Sequence, residues 1–230
     1  DASVEVSIQE LNEISETLFN LSQDISKVDK QNLNELGLRI HNFSEISVKD
    51  MLKDYSIHSQ IVAKNLGKRI YPFKIDGDDK ILANTKIKPF MQTLVHLFRN
   101  SIDHGIESED VRFQLNKDPN GTITCDFKLE NNTFILEIED DGQGIDVDLV
   151  CQKAVEKGIY SQDQIEQMDE NSKLAIIFND NFSTKNESSI ISGRGIGLNA
   201  IKYEIDKLQG KIEIDNKKQA GVKFKFSFSV

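Results

Sequence analysis

Five polar residues lie on or beside one face of a predicted helix at residues 89–107. In the segment PFMQTLVHLFRNSIDHGIE, His96, Asn100 and Asp103 follow one another at steps of four and three, so an α-helix brings them to one face. The flanking polar residues are Arg99 and His104. These groups can donate to and accept from a polar ligand. The face is therefore a candidate site wall, although a solvated amphipathic helix without a site gives the same pattern.

The other face of this helix is apolar. Bulky apolar side chains recur there at helical spacing, which predicts a buried stripe. They are Leu94, Val95, Leu97, Phe98 and Ile102. Burial of the stripe would hold the polar face in a defined position.

A second candidate segment follows a predicted strand. Residues 134–138 alternate apolar and polar side chains, and the chain then continues into Asp140-Asp141-Gly142-Gln143-Gly144. The Asp140 carboxylate can accept a hydrogen bond from an exocyclic amine. Gly142 and Gly144 have no side chain, so a flat ring can approach the backbone. An ordinary Asp-Gly turn is the alternative that this short motif leaves open.

A third segment, SGRGIGL at residues 192–198, is rich in glycine and precedes a predicted helix. Its glycines are Gly193, Gly195 and Gly197. They permit close backbone approach, and the helix that begins near Leu198 offers N–H groups to phosphate oxygens, to which Arg194 could add a charge-assisted contact. A flexible glycine loop is the alternative. Because the Asn100 amide oxygen can ligate Mg²⁺, the three segments together could bind a nucleotide.

The composition limits the classes of function. The chain has 230 residues, 38% hydrophobic and 29% charged, which is ordinary for a folded globular protein. Its formal net charge of −10 argues against binding nucleic acid or an anionic membrane through a basic surface. Cys125 and Cys151 have no metal-ligand spacing, which favours a reducing compartment. No apolar run is long enough to span a bilayer and no signal peptide is evident, so we expect a cytoplasmic location, alone or as the cytoplasmic part of a larger sensor.

The first 46 residues have a different pattern from the rest. Residues 8–28 carry apolar side chains in a heptad seam, and residues 33–43 form a second amphipathic segment. We predict a helical hairpin over residues 1–46 that dimerises as a four-helix bundle. Packing of both helices on the following domain is the alternative. The opening residues suggest an excised fragment, so we expect further domains upstream.

Residues 47–230 predict an α+β fold. Helices cover one face of a mostly antiparallel sheet, which forms a two-layer sandwich. Predicted helices occupy 47–65, 89–107, 148–158 and the segment after 198, and predicted strands occupy 69–75, 123–129, 134–138, 212–214 and 222–230. The polar residues 161–171 are predicted as surface and as part of a mobile cover.

The order and separation of the motifs resemble a known arrangement. The helix HLFRNSIDHGIE, the strand followed by DDGQGID, then FSTK, then SGRGIGL before a helix, resemble the Bergerat-type ATP-binding fold of the GHKL superfamily. That superfamily includes histidine kinases, type II topoisomerases and mismatch-repair ATPases. Within it, residues 96–107, 153–158 and 192–195 resemble the CheA-type chemotaxis histidine kinases. The resemblance covers about residues 47–230.

The resemblance implies roles for individual residues. Asn100 would coordinate Mg²⁺ bound to ATP, and Asp140 would bond the adenine amino group in a pocket shaped by Gly142 and Gly144. Residues on the phosphate side of the nucleotide would be Gly193, Arg194, Gly195, Gly197 and Leu198. Residues beside a lid at 159–192 would be Phe178, Phe182, Ser183 and Thr184. Residues lining the γ-phosphate side would be His96, Arg99, Asp103 and His104.

The resemblance also implies a function. The chain would be the ATP-dependent catalytic core of a homodimeric protein-histidine kinase in two-component or chemotaxis-like signalling, with a response regulator downstream. Neither His41 nor His58 has the sequence context of a phosphoacceptor, so the acceptor histidine would lie on a missing domain or another protein. The SH3-like domain that follows the kinase domain in that family is not expected here. The alternatives are an ATPase of the same fold, which a histidine at position 96 disfavours, and a nucleotide-binding regulatory dimer without kinase activity.

Overall fold

The computed structural model describes residues 46–179 and 197–230, together with Ile14 and Phe182. Contacts divide the chain into two units, residues 1–46 and residues 47–230. The predicted hairpin and its part in dimerisation lie outside the described residues and stay predictions. Every element below belongs to the second unit, in which no described helix is long and apolar enough to cross a membrane.

The second unit is a mixture of helices and strands, as the sequence predicted. Its α-helices are α1 (Val48–Asn65), α2 (Ile87–Asn100), α3 (Glu109–Gln114), α4 (Val147–Glu156), α5 (Gln162–Gln167), α6 (Glu170–Ala175) and α7 (Leu198–Lys207). A π-helix at Ser101–Gly105 continues α2, and a 3-10 turn at Ile176–Phe178 follows α6. The strands are β1 (Lys74–Gly77), β2 (Ile123–Glu130), β3 (Thr133–Asp140), β4 (Lys211–Lys217) and β5 (Gly221–Ser229).

The five described strands form one sheet in the order β1-β2-β3-β5-β4. Strands β2, β3, β5 and β4 pair antiparallel in succession, and only the edge strand β1 pairs parallel to its neighbour. The turn between β2 and β3 consists of Asn131 and Asn132, which both have positive φ angles, 48° and 62°. Asparagine tolerates this left-handed conformation, which two-residue hairpins need at both positions. The predicted strands 123–129 and 134–138 are confirmed, and they form a β-hairpin through this turn.

Helix α2 packs on the sheet through large apolar side chains. The ring of Phe90 lies 5.3 Å from that of Phe226 and 5.2 Å from that of Phe228, on alternating positions of β5. Helix α7 contacts α2, β4 and β5 and covers the same sheet. These contacts bury the phenylalanine stripe of the last strand, whose side chains alternate between the core and solvent. The α+β fold of the prediction is confirmed.

Several predicted boundaries are wrong, each for a local reason. Val95 was expected in the buried stripe but is 39% exposed, because the other buried side chains of α2 already fill the face toward the sheet. The α-helix ends at Asn100 rather than continuing to residue 107. The edge strand lies at Lys74–Gly77, beyond Pro72, while Ile70 makes only an isolated bridge to Gly121.

The polar segment 161–171 contains α5 and the start of α6, two short helices that hydropathy alone did not indicate. Ser161 caps α5 in a capping box with Gln164, and the Asp169 side chain accepts from Ser172 at the start of α6. Each helix buries one apolar side chain, Ile165 in α5 and Leu174 in α6. Two well-placed caps and two buried contacts are therefore enough to order a segment that is otherwise polar.

Candidate functional site

A widened helical turn carries part of the predicted polar face. Helix α2 ends at Asn100 and the next five residues form the π-helix, which closes through a 2.6 Å hydrogen bond from the Ile106 amide to the Ser101 carbonyl. His96, Asn100 and Asp103 are half-buried. Within the described part of the chain, the Asn100 amide group makes no hydrogen bond, so it is available to a ligand. Helical bulges of this kind often occur at functional sites.

The two histidines near this turn have different surroundings. Partial burial lowers the pKa of His96, and the nearby Arg99 charge lowers it further. His96 is thus a neutral hydrogen-bonding group at physiological pH. His104 is exposed, and its Nε2 lies 3.7 Å from the Asp103 Oδ2. The structure brings all five predicted residues of this face to one end of α2.

A lysine that the sequence analysis missed stabilises the end of the π-helix. The Lys68 Nζ donates hydrogen bonds to three backbone carbonyls, at 2.8 Å from Ile102, 2.8 Å from Asp103 and 2.7 Å from Ile106. Its desolvation lowers the pKa of the ammonium group. Helix ends leave carbonyls unpaired, and a cation is a suitable partner for them. Lys68 follows the stop at Gly67, and nothing in its local pattern predicted this contact.

Asp140 ends β3 in a buried position next to the π-helix. Its carboxylate accepts a hydrogen bond from the Gly142 amide at 3.1 Å, and a Cβ placed on Gly105 of the π-helix would lie 3.4 Å from Asp140 Oδ2. Burial raises the pKa of Asp140 to about 6, although hydrogen bonding to the carboxylate opposes the shift. Because the π-helix directly follows Asn100, the predicted adenine-binding and metal-binding residues lie in adjoining segments.

The glycines of the Asp140–Gly144 loop are required by close backbone approaches. A Cβ at Gly142 would lie closer than contact distance to the Gly105 carbonyl oxygen. The Gln143 amide donates to that same oxygen at 2.9 Å. Gly144 has a φ of +74°, and a Cβ there would lie 2.8 Å from the Lys217 carbonyl oxygen. The loop therefore sits tightly between the end of the π-helix and strand β4.

The turn between β4 and β5 supports the far end of the loop. The Asn216 Oδ1 accepts from the Ile145 amide at 2.7 Å, and its Nδ2 donates to the Ile145 carbonyl at 2.9 Å. The Gln219 amide donates to the Gln143 carbonyl at 2.8 Å. The Asn216 side chain pairs with both the N–H and the C=O of Ile145, as the backbone of a neighbouring strand would do. The local pattern around Asn216 did not predict this role.

A buried charge cluster lies beside the same loop and was also missed. It consists of Glu107, Arg112, Lys117 and Asp141. The Arg112 side chain is 1% exposed, and its Nη1 and Nη2 lie 3.0 Å from Glu107 Oε2 and 2.9 Å from Asp141 Oδ2. Fully buried arginines are rare unless paired, so this pairing is specific. Residue spacing could not have indicated it, because the partners come from different segments.

The two predicted phenylalanines occupy different places. Phe178 is buried in the main core, where its ring meets that of Phe224 edge-on at 6.2 Å. Phe182 is half-buried in a smaller apolar cluster around Val150 and Ile165. Residues 159–179 of the predicted lid belong to the α4–α6 region, which has this small core of its own. The closing motion expected of the lid stays a prediction.

The glycine segment is described only at its end. Gly197 precedes α7, its amide donates to the Asn199 Oδ1 at 2.8 Å, and Leu198 is the first residue of the helix. The other predicted residues of this region lie outside the described residues, and their roles stay predictions. They are Ser183, Thr184, Gly193, Arg194 and Gly195.

The donor set fits an adenine nucleotide with Mg²⁺. A buried carboxylate at the end of a strand can accept from the adenine amine, and the adjoining glycines let the loop pack against the Gly105 and Lys217 carbonyls, which fixes where that carboxylate lies. The amide oxygen of Asn100 is a hard ligand of the type that Mg²⁺ prefers, and one such ligand is enough when phosphate oxygens supply others.

A known family matches most of this unit. The family described as "Histidine kinase-, DNA gyrase B-, and HSP90-like ATPase" matches residues 85–230. The match contains the whole of α2, the Asp140–Gly144 loop and α7. It ends at the last residue of the chain, beyond β5.

Curated relatives are similar over longer stretches. The chain is 34% identical to chemotaxis protein CheA of Halobacterium salinarum over 69% of its length, covering 24% of that protein. It is 33% identical to sensor histidine kinase CheAY of Helicobacter pylori over 93% of its length, covering 25% of that protein. It is 30% identical to CheA of Bacillus subtilis over 96% of its length, covering 31% of that protein. The chain thus spans between a quarter and a third of the length of these relatives.

A solved structure supports the fold. The catalytic domain of histidine kinase ThkA in a nucleotide-free form matches with a TM-score of 0.50 over 80% of this chain and 95% of that domain. The sequence identity is 17%, so the similarity concerns the fold alone.

Proposed function

We propose that residues 47–230 bind Mg²⁺-ATP and transfer its γ-phosphate to a histidine. The chain belongs to the family of histidine kinase-, DNA gyrase B- and HSP90-like ATPases, and the proposal starts from that membership. One observation carries the proposal. The Asp140 carboxylate lies against Gly105, in the π-helix that directly follows Asn100, and the Gln143 amide donates to the Gly105 carbonyl at 2.9 Å. A candidate base-binding group and a candidate metal ligand thereby lie in contacting segments, and the Asn100 side chain has no hydrogen-bond partner among the described residues.

Asp140 and its loop would bind the base. A carboxylate accepts hydrogen bonds from the N–H groups of an amine and repels a carbonyl oxygen. It therefore favours adenine over guanine, which has a carbonyl oxygen where adenine has its amine. Gly142 lets the loop pack against the Gly105 carbonyl, and the Gly105–Gln143 hydrogen bond keeps the loop in place. Because the carboxylate is already buried and hydrogen-bonded, it needs little reorganisation when the base binds.

Asn100 and the residues around it would position the phosphates. Mg²⁺ held by Asn100 would neutralise phosphate charge when bound. Arg99 is exposed at the same end of α2 and supplies a positive charge, while His96 offers a neutral imidazole. In the transfer, a nitrogen of the acceptor imidazole forms a bond to the γ-phosphorus as the bond to the leaving ADP oxygen breaks. The chain thus contributes position and charge rather than a nucleophile.

The acceptor and the assembly are inferred from the relatives. Their names place them in chemotaxis and sensor histidine kinase systems. We expect the acceptor histidine on another domain or protein, a response regulator as the next partner, and a cytoplasmic homodimer formed through residues 1–46. Hydrolysis of ATP by water and nucleotide binding without catalysis are the alternatives.

A titration followed by a transfer assay tests the proposal. The purified chain is titrated with ATP, with and without Mg²⁺, beside Asp140→Ala. It is then incubated with γ-labelled ATP and a histidine-containing phosphotransfer domain of a relative. Saturable binding that Asp140→Ala abolishes, with label on an acid-labile phosphohistidine, is the expected result. Release of free phosphate without protein label indicates an ATPase, and binding without either product indicates a regulatory module.

A further inference from the structure

The buried charge cluster holds the backbone of the Asp140–Gly144 loop directly. The Lys117 Nζ donates to the carbonyl oxygens of Asp141 at 2.8 Å and of Gly142 at 2.7 Å. The Thr122 amide donates to the Asp141 Oδ1 at 2.9 Å, and the Arg112 Nη1 lies 3.1 Å from the same oxygen. Asp141 therefore fixes the chain immediately after Asp140.

The same cluster reaches the other wall of the site. Glu107 follows Gly105 by two residues, and its carboxylate binds both Arg112 and Lys117. The Gly105 carbonyl in turn accepts from the Gln143 amide. The Arg112 guanidinium thus connects the segment after Asn100 to the loop after Asp140.

A cluster of this kind restricts the conformation of the loop more than it stabilises the fold. Two positive and two negative side chains balance, and the described residues have no buried side-chain polar atom without a partner. Buried ion pairs gain little over apolar packing, but they permit only a narrow range of arrangements. A loop that must present one carboxylate in a fixed direction benefits from this restriction.

We propose that Asp141, held by Arg112, is a positioning residue that aims the Asp140 carboxylate at the adenine amine. This role rests on the proposed ATP binding. It predicts that the contacts of Asp141 set the preference for ATP over GTP, because guanine has a carbonyl oxygen where adenine has its amine. A residue that only stabilised the fold would change the affinities for both nucleotides alike.

Two substitutions at Asp141 separate position from charge. Asp141→Ala removes its contacts to Arg112 and Thr122, whereas Asp141→Asn keeps one oxygen that can accept from the Thr122 amide and from the Arg112 Nη1 and loses only the contact to the Arg112 Nη2. We expect Asp141→Ala to lower the ratio of ATP to GTP affinity about tenfold, as for one lost hydrogen bond to a charged group, and Asp141→Asn to restore most of it. The dissociation constants of both nucleotides are measured in the full chain, together with urea unfolding of each variant.

If only the charge of Asp141 mattered, its removal would strengthen ATP binding and not weaken it. The negative charge of Asp141 helps to raise the pKa of Asp140. Its removal would favour the ionised Asp140 carboxylate, so ATP binding near pH 6 would strengthen equally in both variants. A strengthened or unchanged ratio of ATP to GTP affinity would overturn the positioning role.

The adjacent position on the other side of Asp140 provides a matched control. Glu139 is 49% exposed and pairs with Lys223 at 2.9 Å on the outer face of the sheet. Glu139→Ala removes a carboxylate as Asp141→Ala does, and its affinity ratio should equal that of the unsubstituted chain. If Asp141→Ala does not fold, Lys117→Gln tests the same loop contacts and should also lower the ratio.

The experiment separates this role from the proposed function. If the unsubstituted chain fails to bind ATP, the proposed function is wrong and the positioning role falls with it. If that chain prefers ATP and the Asp141→Ala and Lys117→Gln variants keep the same preference, only the positioning role is wrong.

Discussion

The backbone amide of Gln143 donates a hydrogen bond to the carbonyl oxygen of Gly105 over 2.9 Å. This contact joins the end of the π-helix to the loop that follows Asp140. The side chain of Gln143 adds a second bond, from its Nε2 to the His104 carbonyl at 2.6 Å. The two motifs that carry the candidate site therefore share a backbone junction, which a side chain at position 142 would disrupt.

Asp140→Asn should make the protein more stable at neutral pH and less able to bind ATP. The pKa of Asp140 is about 6 in the folded chain, above its ordinary value of 3.8. The folded state therefore holds the proton more tightly, so stability falls as the pH rises from about 4 to 6. Above pH 6 the variant should gain roughly 1–3 kcal/mol, and ATP affinity should fall about tenfold.

Urea unfolding at several pH values tests this prediction. The gain should be present at pH 7.5 and vanish below about pH 3, where the folded and unfolded carboxyl groups are both protonated. A gain that is independent of pH would show that burial of the charge is not its origin.

Asn100→Ala should abolish phosphotransfer while retaining some nucleotide affinity. The Asn100 side chain makes no hydrogen bond to the described residues, so its loss should change the free energy of unfolding by less than about 1 kcal/mol. Transfer from γ-labelled ATP and the Mg²⁺ dependence of ATP binding are measured together. Undiminished transfer by the variant would exclude Asn100 as the metal ligand.

Gly142→Ala should destabilise the site far more than Gly158→Ala. A Cβ at Gly142 would overlap the Gly105 carbonyl, and neither backbone can move without breaking the Gln143 contact. Gly158 has a φ of +68° but no atom within 4 Å of an added Cβ, so Gly158→Ala should cost only about 1–2 kcal/mol of strain. Only Gly142→Ala should lose ATP binding. Equal nucleotide affinities of the two variants would contradict the close packing of the loop.

Arg112→Met should lower the free energy of unfolding by about 3–5 kcal/mol, because it leaves the buried Glu107 carboxylate with one partner fewer. Arg69 provides the comparison. Its Nε lies 3.3 Å from Glu109 Oε2, but the side chain is 66% exposed, so Arg69→Met should change stability by at most about 1 kcal/mol. Denaturant unfolding measures both, and similar losses would mean that the buried cluster adds nothing beyond a surface pair.

Deletion of residues 1–46 should yield a monomer that still binds ATP. Helix α1 begins at Val48 with Ser47 as its cap, so the second unit keeps its first element intact. Light scattering gives the mass, and the ATP titration gives the affinity. A dimer after deletion would refute the assignment of dimerisation to the first segment.

The local pattern of the sequence was sufficient for much of the fold. The strands at 123–129, 134–138 and 222–230 and the apolar stripe of α2 depend on neighbours along the chain, and each was predicted, apart from the exposed Val95. The polar residues His96, Asn100 and Asp140 could be named as candidates because few residue types can perform their chemistry at that spacing, and their roles stay predictions.

Tertiary structure alone decided how these residues are held. Arg112, Lys117, Lys68 and Asn216 act on segments distant in the sequence, and each would pass for a surface residue in its local pattern. Their positions follow from burial, because a buried charge or backbone group must find a partner, and that partner can come from any part of the chain. The sequence by itself determined which groups could bind a nucleotide. The folded chain determined which contacts hold Asp140 in place beside Ser101 and Asn100.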